Sequence, residues 1–548
     1  MTRLLLAAAA AAALVLPGQA AAGRYAVGVA PGTPLDAVAA AIERTTGSRA
    51  ERKLAPLGAL VVEASSARGL RALAGVEYVE RLDTSRRIAF IPNDPLAQRQ
   101  WHLEQDHAFD FWPEFPVLAG PRVAVIDSGI DGTHPDLLSR VAGSRSFVGG
   151  SALTDQQGHG TFIAGLIAAQ TNNAVGVAGI AFPSQLLIAK VVRANRQVSL
   201  EAEAEAIRWA VDNGARVINL SLGGVRDPRD AGRDTYSQLE AAAVRYAYTR
   251  GAVVVAAVGN ADQAPRSPWP YASYPAALPH VIGVSALGKD GSVPLFSNRD
   301  PIYNDLAAPG QELVSTFPRQ LTASRPSCPE QGYSICGPDE YRNAEGTSFA
   351  APQVAAAAAL LLAARPLLQP DQVGYILTRW TDDVSAATGC KPCPALRDTY
   401  SGWGRLNIAK SLAALAGPIP LADRFESNDD AGTQATPLRQ TRVDFSATLD
   451  FWDDNVDVYK VHLRAKQRIV VTLDGPRGVN TDLLLWKPGT QRVQGLSLAL
   501  LRQRVALSAK PGTREQIVHR AKTTGWYYIE TKIVQPGAGS YRLRYSKS

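Results

Sequence analysis

The sequence has few cysteines, a single methionine and only one long apolar run, and each scarcity narrows the kind of protein that it encodes. Four of the 548 residues are cysteine, and the one methionine is Met1. No stretch after residue 16 is long and apolar enough to cross a membrane, so we predict no transmembrane segment. Long acidic or basic blocks are also missing, as are basic patches interleaved with aromatic residues, so we predict no nucleic-acid partner.

What remains is the composition of a globular protein, with 46% hydrophobic residues, 20% charged residues and a mild net charge of +7. A chain of this length exceeds what one hydrophobic core usually serves, so two to four domains are expected.

Residues 1–22 have the pattern of a secretory signal peptide. Arg3 precedes an apolar run over residues 4–16, and Ala20–Ala22 offers small residues for cleavage. An N-terminal membrane anchor is the alternative, but the run is short for a bilayer and no cysteine follows it to carry a lipid. We therefore predict a secreted, extracellular protein, with transit through a periplasm as an option.

The four cysteines agree with export, because disulfides persist in oxidising compartments. They are Cys328, Cys336, Cys390 and Cys393, and four cysteines allow three pairings that the sequence does not distinguish. Closure within each close pair is favoured slightly over cross-pairing. A zinc site is the alternative, but the first pair is spaced too widely for a usual ligand knuckle, and both segments are loops rich in Pro and Gly.

Residues 23–92 alternate strands and helices in a β-α-β-α-β order, which predicts a small α+β domain. The expected strands are 24–30, 59–64 and 76–82, and the expected helices are 35–44 and 67–74. An independent binding domain is one interpretation of this region.

Residues 93–416 alternate nearly all-apolar runs with amphipathic helices. This pattern predicts an α/β domain with a doubly wound parallel sheet, because its strands are buried on both faces. The apolar runs are 123–126, 186–192, 217–220, 253–258 and 281–284. Ligands of such sheets bind at the carboxyl ends of the strands. Asp127, Ser221 and Asn260 fall at such ends.

Residues 200–213 form one of the predicted crossover helices of this sheet. Helical spacing places four apolar residues on its buried stripe, namely Leu200, Ala204, Ile207 and Val211. We expect the three glutamates to point mainly toward solvent, namely Glu201, Glu203 and Glu205.

Residues 422–548 follow a Gly/Pro-rich linker and consist of short alternating strands separated by turns. This spacing predicts a separate all-β sandwich. The expected strands are 456–463, 469–473, 483–486, 526–531 and 541–545.

Three polar residues of region 93–416 have the types that nucleophilic catalysis requires. Ser348 lies among small residues ahead of an apolar helix, where a substrate carbonyl can approach closely and the helix dipole is positive. A serine hydroxyl needs a base, which His159 can supply, and an acid that orients the imidazole, which Asp127 can supply. Each residue alone is usually structural, but the joint pattern is far more specific.

These stretches resemble the subtilisin, or subtilase, family of serine proteases. The matching segments are Val123–Ile130, His134–Leu137, Gly158–Thr161, Gly346–Ser348 and Ala350–Pro352. The family's chain order of Asp, His and Ser is the order found here. The resemblance covers most of residues 93–416 and implies a subtilisin-like fold and endopeptidase activity with no catalytic cofactor.

The resemblance also implies two substrate-binding features. Asn260 ends a strand that is similar to the family's strand with the oxyanion asparagine, so its amide and the backbone N–H of Ser348 are expected to stabilise the oxyanion. A simple turn is the alternative for this asparagine. The segment Ser221, Leu222 and Gly223 is similar to the family's edge strand that pairs with an extended peptide.

A structural calcium site is implied as well, with an Asn/Gly turn that binds no metal as the alternative. Carboxylate, amide and carbonyl oxygens suit a hard cation. The residues that the resemblance assigns to this site are Asp136, Asn173, Thr171, Val175, Val177 and Asp94.

Three positions depart from the usual family pattern. Phe162 and Gln353 replace two histidines that flank the motifs, and Phe349 stands where many relatives carry methionine. None is a triad member, so activity is still expected, with a change in local packing. Because the only methionine is Met1, we expect the mature enzyme to contain none.

The flanking regions also resemble parts of secreted proteases. Residues 23–92 are similar to the family's inhibitory pro-segment, whose tail at residues 81–90 is expected to run through the cleft. Residues 422–548 are similar to the bacterial pre-peptidase C-terminal domain, which implies an accessory module.

The sequence thus predicts a secreted serine endopeptidase that matures from a zymogen and acts on proteins or peptides. Its own pro-segment is the expected intramolecular inhibitor, and the mature enzyme is expected to be a monomer. A secreted binding protein on a catalytically silent protease scaffold is the alternative function, and a processing peptidase with one partner is a variant of the same chemistry.

Overall fold

A computed structural model describes residues 23–64, 66–82, 90–324, 334–335, 340–451, 454–493 and 498–548. The signal segment and the pair Cys328 and Cys336 therefore lie outside the described residues. The chain divides into two compact units between residues 88 and 89.

The first unit is a small α+β domain built on a four-stranded antiparallel sheet with the order β2-β3-β1-β4. Its elements are β1 (Gly23–Val29), α1 (Leu35–Thr46), β2 (Ala50–Leu54), β3 (Ala59–Ala64), α2 (Ala67–Arg71) and β4 (Val76–Arg81). The predicted order lacked β2, because three consecutive charged and exposed residues hide its period from the sequence. Val27, Ile42 and Leu60 centre the core and are fully buried.

The second unit begins with an α/β part. Its strands are β5 (Arg122–Asp127), β6 (Val141–Ser146), β7 (Gln185–Lys190), β8 (Ala215–Leu220), β9 (Val253–Ala257), β10 (Val281–Leu287), β11 (Leu306–Pro309), β12 (Leu313–Thr316), β13 (Ser334–Ile335) and β14 (Tyr341–Ala344). Its helices are α3 (Trp101–Gln105), α4 (His159–Ala168), α5 (Leu200–Asp212), α6 (Gln238–Thr249), α7 (Arg319–Ser324), α8 (Thr347–Ala364), α9 (Pro370–Arg379) and α10 (Ile408–Ala414).

Seven strands form one parallel sheet in the order β11-β10-β9-β8-β5-β7-β6. Successive side chains of a strand point to opposite faces. Val123 and Val125 of β5 therefore join the core on the side of α4 and α8, whereas Ala124 and Ile126 join the core on the side of α5 and α6. The predicted doubly wound parallel sheet is confirmed.

Helix α8 is the central helix of one layer. It contacts α4 and strands β8, β9 and β10. By length and composition it is the one described helix that could cross a membrane, but 83% of that stretch is buried inside the protein. The core helix of a soluble protein passes the same test, so α8 is a core helix here.

Helix α5 is rotated relative to the expected buried stripe. Leu200 is 45% exposed, whereas Glu203 is buried to 3% exposure beside the equally buried Glu240 of α6. The buried face consists mainly of alanines, and these let α5 pack closely against α6. Burial raises the pKa of Glu203, as do the charge of Glu240 and a hydrogen bond to it. Burial likewise raises the pKa of Glu240, to about 7.

Beyond the sheet, Cys390 and Cys393 form a disulfide. The local pairing that we predicted for these two cysteines is therefore confirmed, and both side chains are buried in a small cluster beside β10 and β11.

The C-terminal region is an all-β sandwich, as predicted. Its elements are β15 (Thr436–Leu438), β16 (Arg442–Asp450), β17 (Val456–Leu463), β18 (Arg468–Asp474), β19 (Thr481–Trp486), α11 (Leu498–Leu501), β20 (Arg504–Ser508), β21 (Arg514–Arg520), β22 (Gly525–Ile533) and β23 (Ala538–Lys547). Sheets β15-β17-β22-β19-β20 and β16-β23-β18-β21 face each other across one shared core. All pairs within them are antiparallel except β15 with β17.

The sandwich contacts the α/β part through charged side chains. Arg492 pairs with Asp234 at 3.1 Å, and both side chains are mostly buried. A second ion pair joins Arg379 to Asp450 at 2.9 Å. Burial lowers the solvent screening of such pairs, so they stabilise the contact more than exposed pairs do.

Candidate active site

The carboxyl end of β5 meets the start of α4, and this junction brings Asp127 and His159 together. His159 Nδ1 lies 2.9 Å from both carboxylate oxygens of Asp127, which is buried to 1% exposure. The two residues are held close because Gly160 leaves no room between α4 and β5, where a Cβ would lie 2.2 Å from the Gly129 carbonyl oxygen. The backbone N–H of Ser128 also donates to Asp127.

The loop before His159 is fixed by Asp155, which sequence patterns did not single out. One oxygen of this buried carboxylate accepts hydrogen bonds from the Ser128 hydroxyl and the Gly158 N–H. The other accepts from the N–H and hydroxyl of Thr161. Asp155 therefore ties the first turn of α4 to the strand that carries Asp127.

The protonation of His159 is set by opposing effects. Burial alone lowers the pKa of the imidazole, but the charge and hydrogen bond of Asp127 raise it, and the charge of Asp155 raises it further. The net pKa lies above the ordinary value. This environment stabilises an imidazolium, which is the state that a general base reaches after taking a proton.

Ser348 is the second residue of α8 and therefore lies at the positive end of a long buried helix. Its hydroxyl donates to the Ser221 carbonyl at 3.3 Å, and the Ser221 hydroxyl donates back to the Ser348 carbonyl at 2.7 Å. The next residue, Phe349, places its ring 5.3 Å from the imidazole of His159. The start of α8 thus lies beside both β8 and the paired histidine.

Asn260 lies at the same helix start. Its Oδ1 atom accepts hydrogen bonds from the Thr347 N–H at 3.0 Å and from the Thr347 hydroxyl at 2.9 Å. These bonds fix the carboxamide by its oxygen and orient its nitrogen, a donor, within the same region as Ser348. The strand end that we singled out in the sequence is therefore brought to the serine.

Residues Ser221, Leu222 and Gly223 continue the chain beyond β8. Ser221 and Leu222 are at least partly buried, and Gly223 is exposed. Tyr274 comes so close that a Cβ on Gly223 would lie 2.1 Å from its carbonyl oxygen, and Tyr274 pairs with Gly224 through two hydrogen bonds of 2.9 Å. One side of this segment is held by Tyr274, and the segment itself ends next to Ser348.

Two departures from the family pattern meet under the histidine. The rings of Phe162 and Phe349 lie 4.6 Å apart, and Phe349 also contacts His159. Gln353 donates from Nε2 to the Phe349 carbonyl at 2.7 Å. The replaced histidines are therefore compensated by an aromatic pair and a glutamine that anchors it.

The residues assigned to calcium are also brought together. Both oxygens of the buried Asp94 accept N–H groups of the loop after α4, from Asn172 and Asn173. Asp136 accepts from the Asn173 side chain at 3.0 Å and from the Val177 N–H at 3.1 Å. Thr171 and Val175 belong to the same loop, and the Thr171 hydroxyl bonds within it.

Asp136 is fully buried, and that burial raises its pKa, while hydrogen bonds from Asn173, Val177 and the Tyr341 hydroxyl oppose the shift. Two carboxylates, a carboxamide and loop carbonyls form an all-oxygen donor set, and this chemistry fits a hard cation. Tyr341 is a neighbour that sequence reasoning missed.

Comparisons with known proteins agree with this geometry. The sequence model of the Subtilase family (peptidase S8) matches residues 119–399. Thermitase of Thermoactinomyces vulgaris is 34% identical over 326 residues, which cover 59% of this chain and 99% of thermitase. A thermophilic serine proteinase of Bacillus sp. (strain AK1) is 36% identical over 61% of this chain and 71% of that protein. Subtilisin DY of Bacillus licheniformis is 36% identical over 53% of this chain and 90% of its own length.

Among solved structures, a protease of Pseudoalteromonas arctica PAMC 21717 matches with 27% identity and a TM-score of 0.47, covering 59% of this chain and 99% of that one. The family match and the thermitase match each extend over the region that carries Asp127, His159 and Ser348. The chain therefore belongs to the subtilase family of serine proteases.

Proposed function

We propose that the chain is a secreted serine endopeptidase in which Asp127, His159 and Ser348 form the catalytic triad. The observation that carries this proposal is the contact of the His159 imidazole with both oxygens of a buried Asp127, beside the helix start that bears Ser348. Asp127 holds the imidazole in the tautomer whose Nε2 can accept a proton. His159 takes the proton of the Ser348 hydroxyl as this oxygen attacks the peptide carbonyl.

The attack forms a tetrahedral intermediate whose oxygen carries negative charge. The amide nitrogen of Asn260 and the backbone N–H of Ser348 stabilise this oxyanion in the proposed mechanism. His159 then donates its proton to the leaving amine, and an acyl-enzyme remains on Ser348. Water, activated by the same imidazole, releases the acyl group and restores the hydroxyl.

The substrate binds in this proposal as an extended strand along Ser221, Leu222 and Gly223. The exposure of Gly223 supports the assignment, because a peptide backbone can approach it without meeting a side chain. Main-chain hydrogen bonds would then supply affinity, as in other cases of strand addition to a sheet edge.

We further propose four processing regions: a signal peptide at 1–22, an inhibitory pro-segment at 23–92, the peptidase domain at 93–416 and a C-terminal sandwich at 422–548. The compact fold of residues 23–82 supports a pro-segment that folds as its own unit. The mature enzyme is proposed to act on proteins or peptides as a monomer. It uses no catalytic cofactor in this mechanism.

A structural calcium ion at Asp136 is part of the same proposal. Asp94, Asp136 and Asn173 would hold it together with the carbonyls of Thr171, Val175 and Val177. The ion would stabilise the loop after α4 and take no part in the chemistry.

One experiment tests the triad and the processing together. The intact mass of the secreted protein is measured with and without a fluorophosphonate probe, beside Ser348→Ala. We expect the wild type to begin near Asn93 and to gain one probe on Ser348, while the variant keeps residues 23–92. A folded protein that lacks the pro-segment and takes no probe would instead favour a binding protein on a silent protease scaffold.

A further inference from the structure

A second group of acidic side chains lies far from the triad, where the chain enters the sandwich. Carboxylate oxygens of Asp423, Glu426 and Asp457 all lie within 4.8 Å of one another. A second set, Glu426, Asp429 and Asp454, meets the same criterion. Glu426 belongs to both sets, so five carboxyl groups converge around one residue.

The centre of this cluster is buried and only partly satisfied by hydrogen bonds. Asp457 and the neighbouring Asn428 are fully buried. Asp457 accepts a hydrogen bond from the Tyr541 hydroxyl on one oxygen, but its Oδ1 atom and the Oδ1 atom of Asn428 have no partner among the described residues. A buried oxygen without a partner costs free energy, and such atoms usually find a ligand or water.

Positive charge is also missing at this point. No lysine or arginine in the described part of the chain forms an ion pair with Glu426 or Asp457. Burial raises the pKa of Glu426, and the charges of Asp429, Asp457 and Asp423 raise it further. Converging carboxylates of this kind are stabilised either by protons or by a cation.

We propose that this cluster binds one calcium ion through Asp423, Glu426 and Asp457, with the Asn428 side-chain oxygen as a further ligand. All the donors are oxygens, as a hard cation requires, and oxygens about 2.3–2.6 Å from one ion fall within the observed separation. Calcium is favoured over magnesium because magnesium demands near-ideal octahedral geometry.

The position of the ion defines its role. Asp423, Glu426 and Asn428 lie in the lead-in segment of the sandwich, whereas Asp457 lies in β17, so one ion ties the two together. Backbone N–H groups of Phe425 and Thr448 hold Asp423 in place.

The ion also lies near the contact with the α/β part. Asp429 approaches His280 at 2.8 Å, and Glu426 lines a cavity of about 390 Å³ between the two parts. The cavity offers an entry path, which a workable metal site needs. Calcium is therefore expected to stabilise the attachment of the sandwich, which is distinct from any ion at Asp136.

The test uses the full chain with Ser348→Ala, which prevents self-digestion, and with Asp136→Asn, which removes the other calcium candidate. Calcium binding is measured by titration calorimetry in this parent and after adding Glu426→Gln or Asp457→Asn. Asp444→Asn is the matched control, because it removes an exposed carboxylate of the same sandwich. We expect one ion per chain in the parent and the control, and at least tenfold weaker binding in the two cluster variants.

Terbium luminescence gives a second readout that a folding defect does not imitate. Tyr541 bonds directly to Asp457, so terbium in the cluster should be sensitised by excitation of tyrosine. Tyr541→Phe should retain the affinity and lose most of this emission. In chelator, Glu426→Gln should melt no lower than the parent, because it removes repulsion between buried carboxylates.

Two results would overturn the proposal. One is a parent chain that binds no calcium, and the other is binding that persists unchanged in both Glu426→Gln and Asp457→Asn. Calcium binding that appears only when Asp136 is restored would assign the ion to the loop after α4 and would equally reject the cluster.

Discussion

The buried carboxyl pair of Glu203 and Glu240 is expected to make the stability of the α/β part fall as the pH rises. Both side chains are 3% exposed, and Glu203 forms a hydrogen bond to Glu240, which requires one of them to carry a proton. Above the ordinary pKa of a glutamate, the unfolded chain loses that proton first. The folded chain retains it until the pH passes the raised value, so stability is full below about pH 4.5 and declines toward and beyond pH 7.

The size of the effect follows from the same values. A pKa of about 7 for Glu240 in the folded chain, against 4.5 when exposed, corresponds to roughly 3 kcal/mol of stability lost at high pH. Glu240→Gln replaces the shared proton with a permanent N–H donor and should recover most of it. For a domain of this size, that is an increase of roughly 5–10 °C in the melting temperature at pH 8.5.

The assay compares the melting temperatures of the full chain with Ser348→Ala at pH 4 and pH 8.5, before and after Glu240→Gln. Glu205→Gln is the matched control, because Glu205 is an exposed glutamate of the same helix. We expect Glu240→Gln to melt higher than the parent at pH 8.5 and at nearly the same temperature at pH 4, with no change in the control. A variant that is destabilised equally at both pH values would refute the shared-proton reasoning.

Four further outcomes are expected of the enzyme. Asn260→Ala should lower kcat by a factor on the order of 10²–10³ with little change in KM, a magnitude established for this type of donor in the subtilisin family itself and measured here by steady-state peptide hydrolysis. Activity should rise with pH through a midpoint above 6.5, because His159 acts as a base only when neutral and its pKa is raised; a midpoint below 6 in the kcat/KM profile would contradict this. Asp155→Asn should move that midpoint to lower pH, since it removes a charge that raises the pKa of His159, whereas loss of activity without a shift would indicate a purely structural role. Because Met1 is the only methionine, activity should survive dilute hydrogen peroxide, and rapid inactivation would show that another side chain is the sensitive one.

The triad residues were recognisable in the sequence because each lies in a short motif with its own local chemistry. Asp127 ends an all-apolar strand, His159 lies between two glycines, and Ser348 opens an apolar helix. Parallel strands bring their carboxyl ends to one edge, so fold class and the region of the site followed from the pattern of apolar runs. The contacts of Asp127 with His159 agree with that expectation.

Other features depended on segments that meet only in three dimensions. The period of α5 predicted a solvent-facing Glu203, but the packing of alanines against α6 rotated the helix and buried it beside Glu240. Strand β2 was missed because its charged residues are held by pairing with β3 rather than by an apolar pattern of their own.

The local sequence thus determined the strands, the helix starts and the identity of the catalytic residues, because those depend on neighbours a few positions away. Only the tertiary structure decided which polar groups are buried together. The carboxylates of Glu426 and Asp457 lie 31 positions apart, and no periodicity or motif relates them. Their convergence follows from the register of the sandwich, since burial and electrostatic repulsion are properties of the assembled fold.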